Sequence, residues 1–240
     1  MQNDRDEALP SRRALLKNGG LFASMLMLPG AVSASMREGK PESLLPKDFH
    51  RPVAAAPARA MATAPRDLSP RGVDPALFRR AMAAMEKHGH RIAQHDRIAV
   101  ADFSLSSSRK RFHLINLHDG SVVSKLVSHG SGSDPAHSGY LQRFSNVDGS
   151  NASCEGAFTT ANYYYGKHGR SQKLIGLDRT NDNALSRAIV VHAAWYANPD
   201  MISRLGMLGR SQGCFAVGED ELAEVFERLG PGRMIYADKA

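Results

Sequence analysis

Apolar positions along this chain follow two periods, and the change from one to the other marks out its elements. After Asp74-Pro75, the residues Leu77, Phe78, Ala81, Met82 and Met85 recur at helical spacing, and the pattern fades at Gly89. Asp74 is suited to cap the free amides of such a helix, and Pro75 to sit at its first position. The pattern then turns strand-like. Residues 92–104 centre on Ile98-Ala-Val-Ala-Asp-Phe103, and residues 111–117 and 122–127 flank the tight turn His118-Asp119-Gly120-Ser121. Asp-Gly between two apolar runs is a strong hairpin signal. Residues 157–160, 173–175 and 188–192 read as further short strands. Residues 196–210 are irregular, with a short helix expected over 199–205. Glu219-Asp220 opens a last helix with Leu222, Val225, Phe226 and Leu229 on one face. Gly230-Pro231-Gly232 stops it, and residues 233–237 close the chain as a strand. Many short strands with few helices predict a mainly β domain, a sandwich or partly open barrel with a few flanking helices.

Two stretches carry no such period. Residues 129–152 form a long polar loop rich in Gly, Ser and Asn, a length uncommon in a compact domain unless it is functional. Residues 35–72 are rich in Pro, Ala and Arg and read as a linker. That leaves residues 73–240 as one domain with room for a proper core.

The start of the chain changes the picture of where the domain works. Arg12-Arg13-Ala-Leu-Leu-Lys17 precedes an apolar stretch, Leu21 to Leu28, and then Pro29-Gly30 and small residues up to Ala34. That is the order of an export signal, with a twin-arginine character and expected cleavage after Ala34. The apolar stretch is shorter than the roughly 20 residues a spanning helix needs. No cysteine lies near the cleavage site to take a lipoprotein anchor. The expectation is a periplasmic protein with no membrane anchor once residues 1–34 are removed. That removal takes four cations and three anions, so the formal +7 of the whole chain becomes +6. A basic exported protein suits a polyanionic partner such as lipid headgroups or carboxylate-rich wall peptides. Export, and the lack of a basic stripe interleaved with aromatics, argue against nucleic acid.

Candidate chemistry concentrates near the C-terminal end. There are two cysteines, Cys154 and Cys214. Cys214 ends the tetrapeptide Ser211-Gln212-Gly213-Cys214, and His192 ends the apolar run Ile189-Val190-Val191. A thiol must ionise to attack, and a neighbouring imidazole can take its proton and return it to a leaving amine. Gly213 lets the backbone approach a substrate closely, and the amides around Gly213 and Cys214 are placed to meet a developing oxyanion. Ser211 is expected to steady this turn or to orient the imidazole. Arg210 is a candidate to hold a substrate carboxylate or a backbone carbonyl. His129, after an apolar strand, is a rival base and a candidate substrate-binding group. His88, His90 and His95 lack the thiol or carboxylate spacing of a zinc site. No G-x-S-x-G, Walker loop or dinucleotide fingerprint occurs, and neither metal nor cofactor is expected.

Ile189-Val-Val-His192 followed by Gly209-Arg-Ser-Gln-Gly-Cys214 resembles the signature of L,D-transpeptidases of the YkuD type, in particular the murein L,D-transpeptidase catalytic domain subgroup. Val127-Ser-His-Gly-Ser-Gly-Ser133, Gly156-Ala-Phe-Thr-Thr160, Tyr165-Gly-Lys-His-Gly169, Leu174-Ile-Gly-Leu177 and residues 181–188 are similar to that subgroup as well, so the likeness runs over about 95–238. The resemblance implies a β-sandwich catalytic domain, Cys214 as nucleophile, His192 as base, and a peptidoglycan stem tetrapeptide as donor. The acyl group would pass through a thioester with loss of D-Ala, and carbapenem-type β-lactams would acylate the same sulfur. The sequence departs from the commoner pattern at Gln212, where a histidine is usual, and at Ala216, where a polar residue is usual. Three readings remain distinct: a transpeptidase, an L,D-carboxypeptidase that uses water as acceptor, and a non-catalytic wall-binding domain with Cys154 and Cys214 joined in a disulfide. In the first two, Cys154 is expected to be a small buried residue beside the cleft.

Overall fold

A computed structural model describes residues 69–240. The expected signal segment and residues 35–68 of the expected linker lie outside the described residues. Helix α1 (Pro75–His88) begins as its sequence requires: the Asp74 side chain accepts from the Leu77 amide at 2.9 Å, with Pro75 in the first turn. Such a cap is worth about 1 kcal/mol. Leu77, Ala81, Ala84 and Met85 form its buried face.

Eight strands follow, β1 (Arg97–Asp102), β2 (Phe112–Asn116), β3 (Val122–Lys125), β4 (Gly156–Gly166), β5 (Gly169–Gly176), β6 (Val190–Ala193), β7 (Phe215–Val217) and β8 (Met234–Asp238), with two further helices, α2 (Asp200–Leu205) and α3 (Leu222–Leu229). The strands are hydrogen-bonded in the order β3-β2-β1-β8-β4-β5-β6-β7. Most pairs are antiparallel, while β1–β8 and β6–β7 are parallel.

This sheet folds back on itself. Just past β3, the Ser128 amide donates to Ala216 O at 2.9 Å, so the first edge of the sheet meets the last. The enclosed core takes the inward side chains of both halves, including Ala99, Phe112, Leu114, Phe158, Leu174, Val191, Phe215 and Ile235. Phe215 of β7 lies against Phe103, Phe112 and Phe158, with ring centroids 6.1, 6.1 and 5.6 Å away. The result is the mainly β sandwich that the sequence predicts. Helix α1 covers the outward faces of β1, β4 and β8 through Ile98, Val100, Ala157 and Met234. The segment 194–208, including α2, covers the other outer face through Ala194, Ala197, Met201 and Leu208 against Ala216. Helix α3 adds Val225, Phe226 and Leu229 to the enclosed core. Among the described residues, no helix is long and apolar enough to cross a membrane.

Two elements differ from the sequence expectation. The strands expected at 157–160 and 173–175 are the roots of one long hairpin, β4–β5, which continues past a register shift between Thr160 and Tyr163 to the tip Gly166↔Gly169. The sequence pattern does not predict β7, because three residues after a Gly-containing turn give too short an apolar run to register.

Candidate active site

The parallel pairing of β6 and β7 brings the two ends of the candidate motif together. Val191 lies beside Phe215 and His192 beside Ala216, which places Cys214 next to Val190 at the start of the same ladder. His192, Val190 and Cys214 face one cleft of about 430 Å³, whose wall also includes Arg210, Ser211 and Gln212. Ala216, where the commoner pattern has a polar residue, is buried beside His192.

The imidazole of His192 is 1 % exposed. Its Nδ1 is 2.8 Å from Ala193 O. A carbonyl only accepts, so Nδ1 carries the proton and Nε2 keeps its lone pair. Burial, with the nearby charges of His168 and Lys167, holds the ring's pKa below its ordinary value, so the base form prevails at neutral pH. The Cys214 sulfur is half-buried and lies 3.6 Å from Ala188 O. Burial pushes the thiol up, while the Val190 backbone, Lys167 and Arg187 pull it the other way. A neutral thiol and a neutral imidazole therefore line the same cleft, and among the described residues no hydrogen bond joins the two side chains.

The turn that carries the sulfur is fixed by its own sequence. Ser211 Oγ donates to Cys214 O at 2.7 Å and accepts from the Gly213 amide at 3.1 Å. Ser211 thus steadies the turn rather than orienting the imidazole. Gly213 has φ +109°, and a Cβ there would stand 2.6 Å from Ala152 O and 2.8 Å from Ile189 Cδ1. The requirement for glycine is steric and conformational at once. One expectation is corrected: with its N–H held by Ser211 Oγ, the Gly213 amide is not available to an oxyanion. The Cys214 amide has no protein acceptor among the described residues.

Arg210 lines the cleft, and its guanidinium donates to Asp134 O and to Pro135 O. It grips backbone carbonyls of the long loop. His129 is not on the cleft wall. It is 1 % exposed, and both ring nitrogens are engaged, Nδ1 by Arg111 Nη2 at 2.7 Å and Nε2 with Asp134 Oδ2 at 3.3 Å. The expectation of His129 as a substrate-binding group or base is therefore corrected. Burial and the Arg111 charge pull its pKa down to about 4. Its backbone carbonyl accepts from the Ser211 amide at 2.9 Å, and Ser131 N donates to Ser211 O at 2.8 Å. The start of the long loop is thus sewn to the motif.

The two cysteines are free, so the disulfide-joined alternative is not what the structure contains. Cys154 is fully buried, with Arg187 Nη1 2.8 Å from its sulfur. The same guanidinium donates to Ser145 O at 2.7 Å and to Ala152 O at 2.6 Å. Two of the cleft residues, Asn151 and Ala188, hold positive φ without being glycine (+53° and +55°). Backbone of this kind persists only where its surroundings over-determine it.

Among the cleft residues that sequence reasoning missed are Lys167, His168, Arg187 and Tyr196. His168 stacks on His192 with ring centroids 4.3 Å apart. Burial pushes the Tyr196 phenol up to about 12. Tyr165-Gly-Lys-His-Gly169 was visible as a motif, but only the hairpin's length shows that its tip reaches the cleft.

The model of the L,D-transpeptidase catalytic domain family matches residues 69–237. No curated protein matches the chain. Among solved structures, an L,D-transpeptidase from Mycobacterium smegmatis is 15 % identical, over 60 % of this chain and 58 % of that one, with a TM-score of 0.37. An L,D-transpeptidase from Mycobacterium tuberculosis H37Rv is 14 % identical, over 60 % and 58 %, with a TM-score of 0.34. The helical cell shape determining protein Pgp2 from Campylobacter jejuni is 10 % identical, over 70 % and 57 %, with a TM-score of 0.39. The chain spans less than two thirds of the length of each.

Proposed function

We propose that this chain, which belongs to the L,D-transpeptidase catalytic domain family, is a periplasmic cysteine acyl-transferase that takes peptidoglycan stem tetrapeptides as donors. One observation carries the reading. Cys214 and His192 face the same cleft, and the bond from Nδ1 to Ala193 O leaves Nε2 as the free base.

The chemistry follows from those positions. With a peptide seated, the Cys214 thiol proton passes to His192 Nε2 as sulfur attacks the carbonyl carbon of the third stem residue. A C–S bond forms, and the carbonyl oxygen becomes an oxyanion facing the Cys214 amide. The C–N bond to D-Ala then breaks as His192 returns the proton to the leaving nitrogen. An amine of a second stem loses its proton to His192, attacks the thioester and frees the thiol. A neutral thiol and a neutral imidazole on one cleft suit this order, since neither group needs an added or removed proton before substrate arrives. The twin-arginine-type start of the sequence supports export to the compartment where such stems lie.

Incubation of purified protein with a stem tetrapeptide, followed by mass spectrometry, tests the reading. Dimers joined through diamino acids are expected, with an acyl adduct on Cys214 under quench. Tripeptide without dimer would mean water is the acceptor and would replace transfer with carboxypeptidase action. Turnover that survives in Cys214→Ala would overturn the mechanism.

A further inference from the structure

The cleft wall is strongly cationic. Lys167, Arg187 and Arg210 line it, against Asp148 as its carboxylate. Two of these cations are already committed to the protein. Arg187 donates to Ser145 O, Ala152 O and the Cys154 sulfur, and Arg210 donates to Asp134 O and Pro135 O. Lys167 differs. It is exposed at the two-residue tip of β4–β5, and among the described residues no carboxylate pairs with it.

The hairpin holds that tip in place. In its outer half, beyond the register shift, the Arg170 guanidinium lies 4.4 Å from the Tyr163 ring centre, and Tyr163 Oη donates to Phe226 O at 3.1 Å on α3. At its end His168 stacks on His192. Lys167 therefore stands on the His192 side of the cleft. The proposed reaction sends the leaving amine to that same side, because His192 must protonate it. In a stem tetrapeptide the leaving amine belongs to a terminal D-Ala, whose carboxylate carbon is two bonds beyond the nitrogen. A carboxylate so placed falls beside the one cation of the wall with all its donors free.

Resting on the function proposed above, we infer that Lys167 is the specificity-determining residue that recognises the terminal carboxylate of the leaving D-Ala, so that donors ending in a free carboxylate are chosen over neutral or extended ones. The influence of Lys167 on both the sulfur and the imidazole agrees with this position.

The test compares two donors, a stem tetrapeptide ending in D-Ala and the same peptide ending in D-alaninamide, with full-length wild-type protein, Lys167→Met and Lys167→Arg. Wild type is expected to favour the acid in kcat/KM by about 10-fold or more, the range of a hydrogen bond to a charged partner. Lys167→Met brings the ratio near one, mostly by slowing the acid, and Lys167→Arg restores much of it. A residue that only tuned the thiol would slow both donors alike and leave the ratio in place, which would overturn the inference. So would a wild type with no preference. Alkylation of Cys214 separates this failure from failure of the cysteine reading. The rate ratio of iodoacetate to iodoacetamide should fall several-fold in Lys167→Met, and an unchanged ratio counts against Lys167 alone. If iodoacetamide leaves wild-type Cys214 unmodified, the nucleophile itself is refuted and the inference falls with it.

Discussion

The domain holds the same two side-chain chemistries twice, once on the cleft wall and once in the interior behind it. Cys214 and His192 line the cleft, while Cys154 and His129 are enclosed. Burial alone does not separate the histidines, since each is 1 % exposed. What separates them is the second nitrogen. His192 ties Nδ1 to its neighbour's carbonyl and keeps Nε2 bare, whereas His129 has a partner at each nitrogen. The sulfurs differ likewise: Cys154 sits under the Arg187 guanidinium, and Cys214 faces open space. A group acts chemically when one of its valences is left unsatisfied toward solvent, and acts structurally when none is.

The sharpest break of this comparison is the cysteine pair. Cys214→Ala should abolish dimer formation altogether, because no other thiol faces the cleft. Cys154→Ala should keep turnover within a few-fold and instead lower stability by about 1–3 kcal/mol, the cost of leaving a buried group of Arg187 unpaired. Product analysis and denaturant unfolding read the two effects separately. Comparable loss of turnover in both variants would show that the interior sulfur shares the chemistry.

The histidines come next. His192→Ala should lower kcat/KM by about 10²–10⁴-fold, the usual contribution of a positioned proton acceptor. His129→Ala should cost about 1–3 kcal/mol in unfolding free energy, because Arg111 and Asp134 each lose a buried hydrogen-bond partner. Its loss of activity should follow the folded fraction. The pH dependence of stability gives a signature for His129. The unfolded chain takes up this proton near pH 6.5, the folded chain only near about 4. Between those values the unfolded state binds more protons, so stability is complete above 6.5 and falls by roughly 3 kcal/mol toward pH 4. Asp134, held below its ordinary carboxylate range by Ser138 and Gly139 despite its burial, adds a further loss at lower pH. His129→Gln should flatten the upper window of this curve. An unchanged curve would mean another group carries the linkage.

These contrasts were only half legible in the sequence. The cap and period of α1, the Asp-Gly turn before β3 and the apolar face of α3 are local signals, and each marks its element within a few residues. The motif around Cys214 was legible because the Ser211 hydroxyl and Gly213 serve a turn whose side-chain bonds lie within four residues. The roles of His129, Arg187 and Lys167 depend on pairings across 18, 33 and more positions, or on where a hairpin tip arrives. Closure of the sheet between Ser128 and Ala216 is of the same kind. Nothing in the pattern around His129 distinguishes a buried strut from a base, because the difference is made by Arg111 and Asp134 arriving on either side.

The smallest effect tests how far the cleft histidine depends on its neighbour. His168 has no hydrogen bond among those described, and it covers one face of the His192 ring. Its removal acts on His192 in two ways of the same sign: the ring gains water, and the repulsion from His168 is lost. Both raise the His192 pKa toward about 6.5. On the proposed mechanism activity needs the neutral ring, so the acid limb of kcat/KM is expected below about 6.5 in wild type and should move upward in His168→Ala. At pH 8, above both limbs, the rate should change only a few-fold, while near pH 6 the variant should fall further behind. His168→Phe keeps the stacked face without the ring nitrogens and should hold the limb near its wild-type position. A limb that moves equally in both variants would assign the shift to charge rather than to cover.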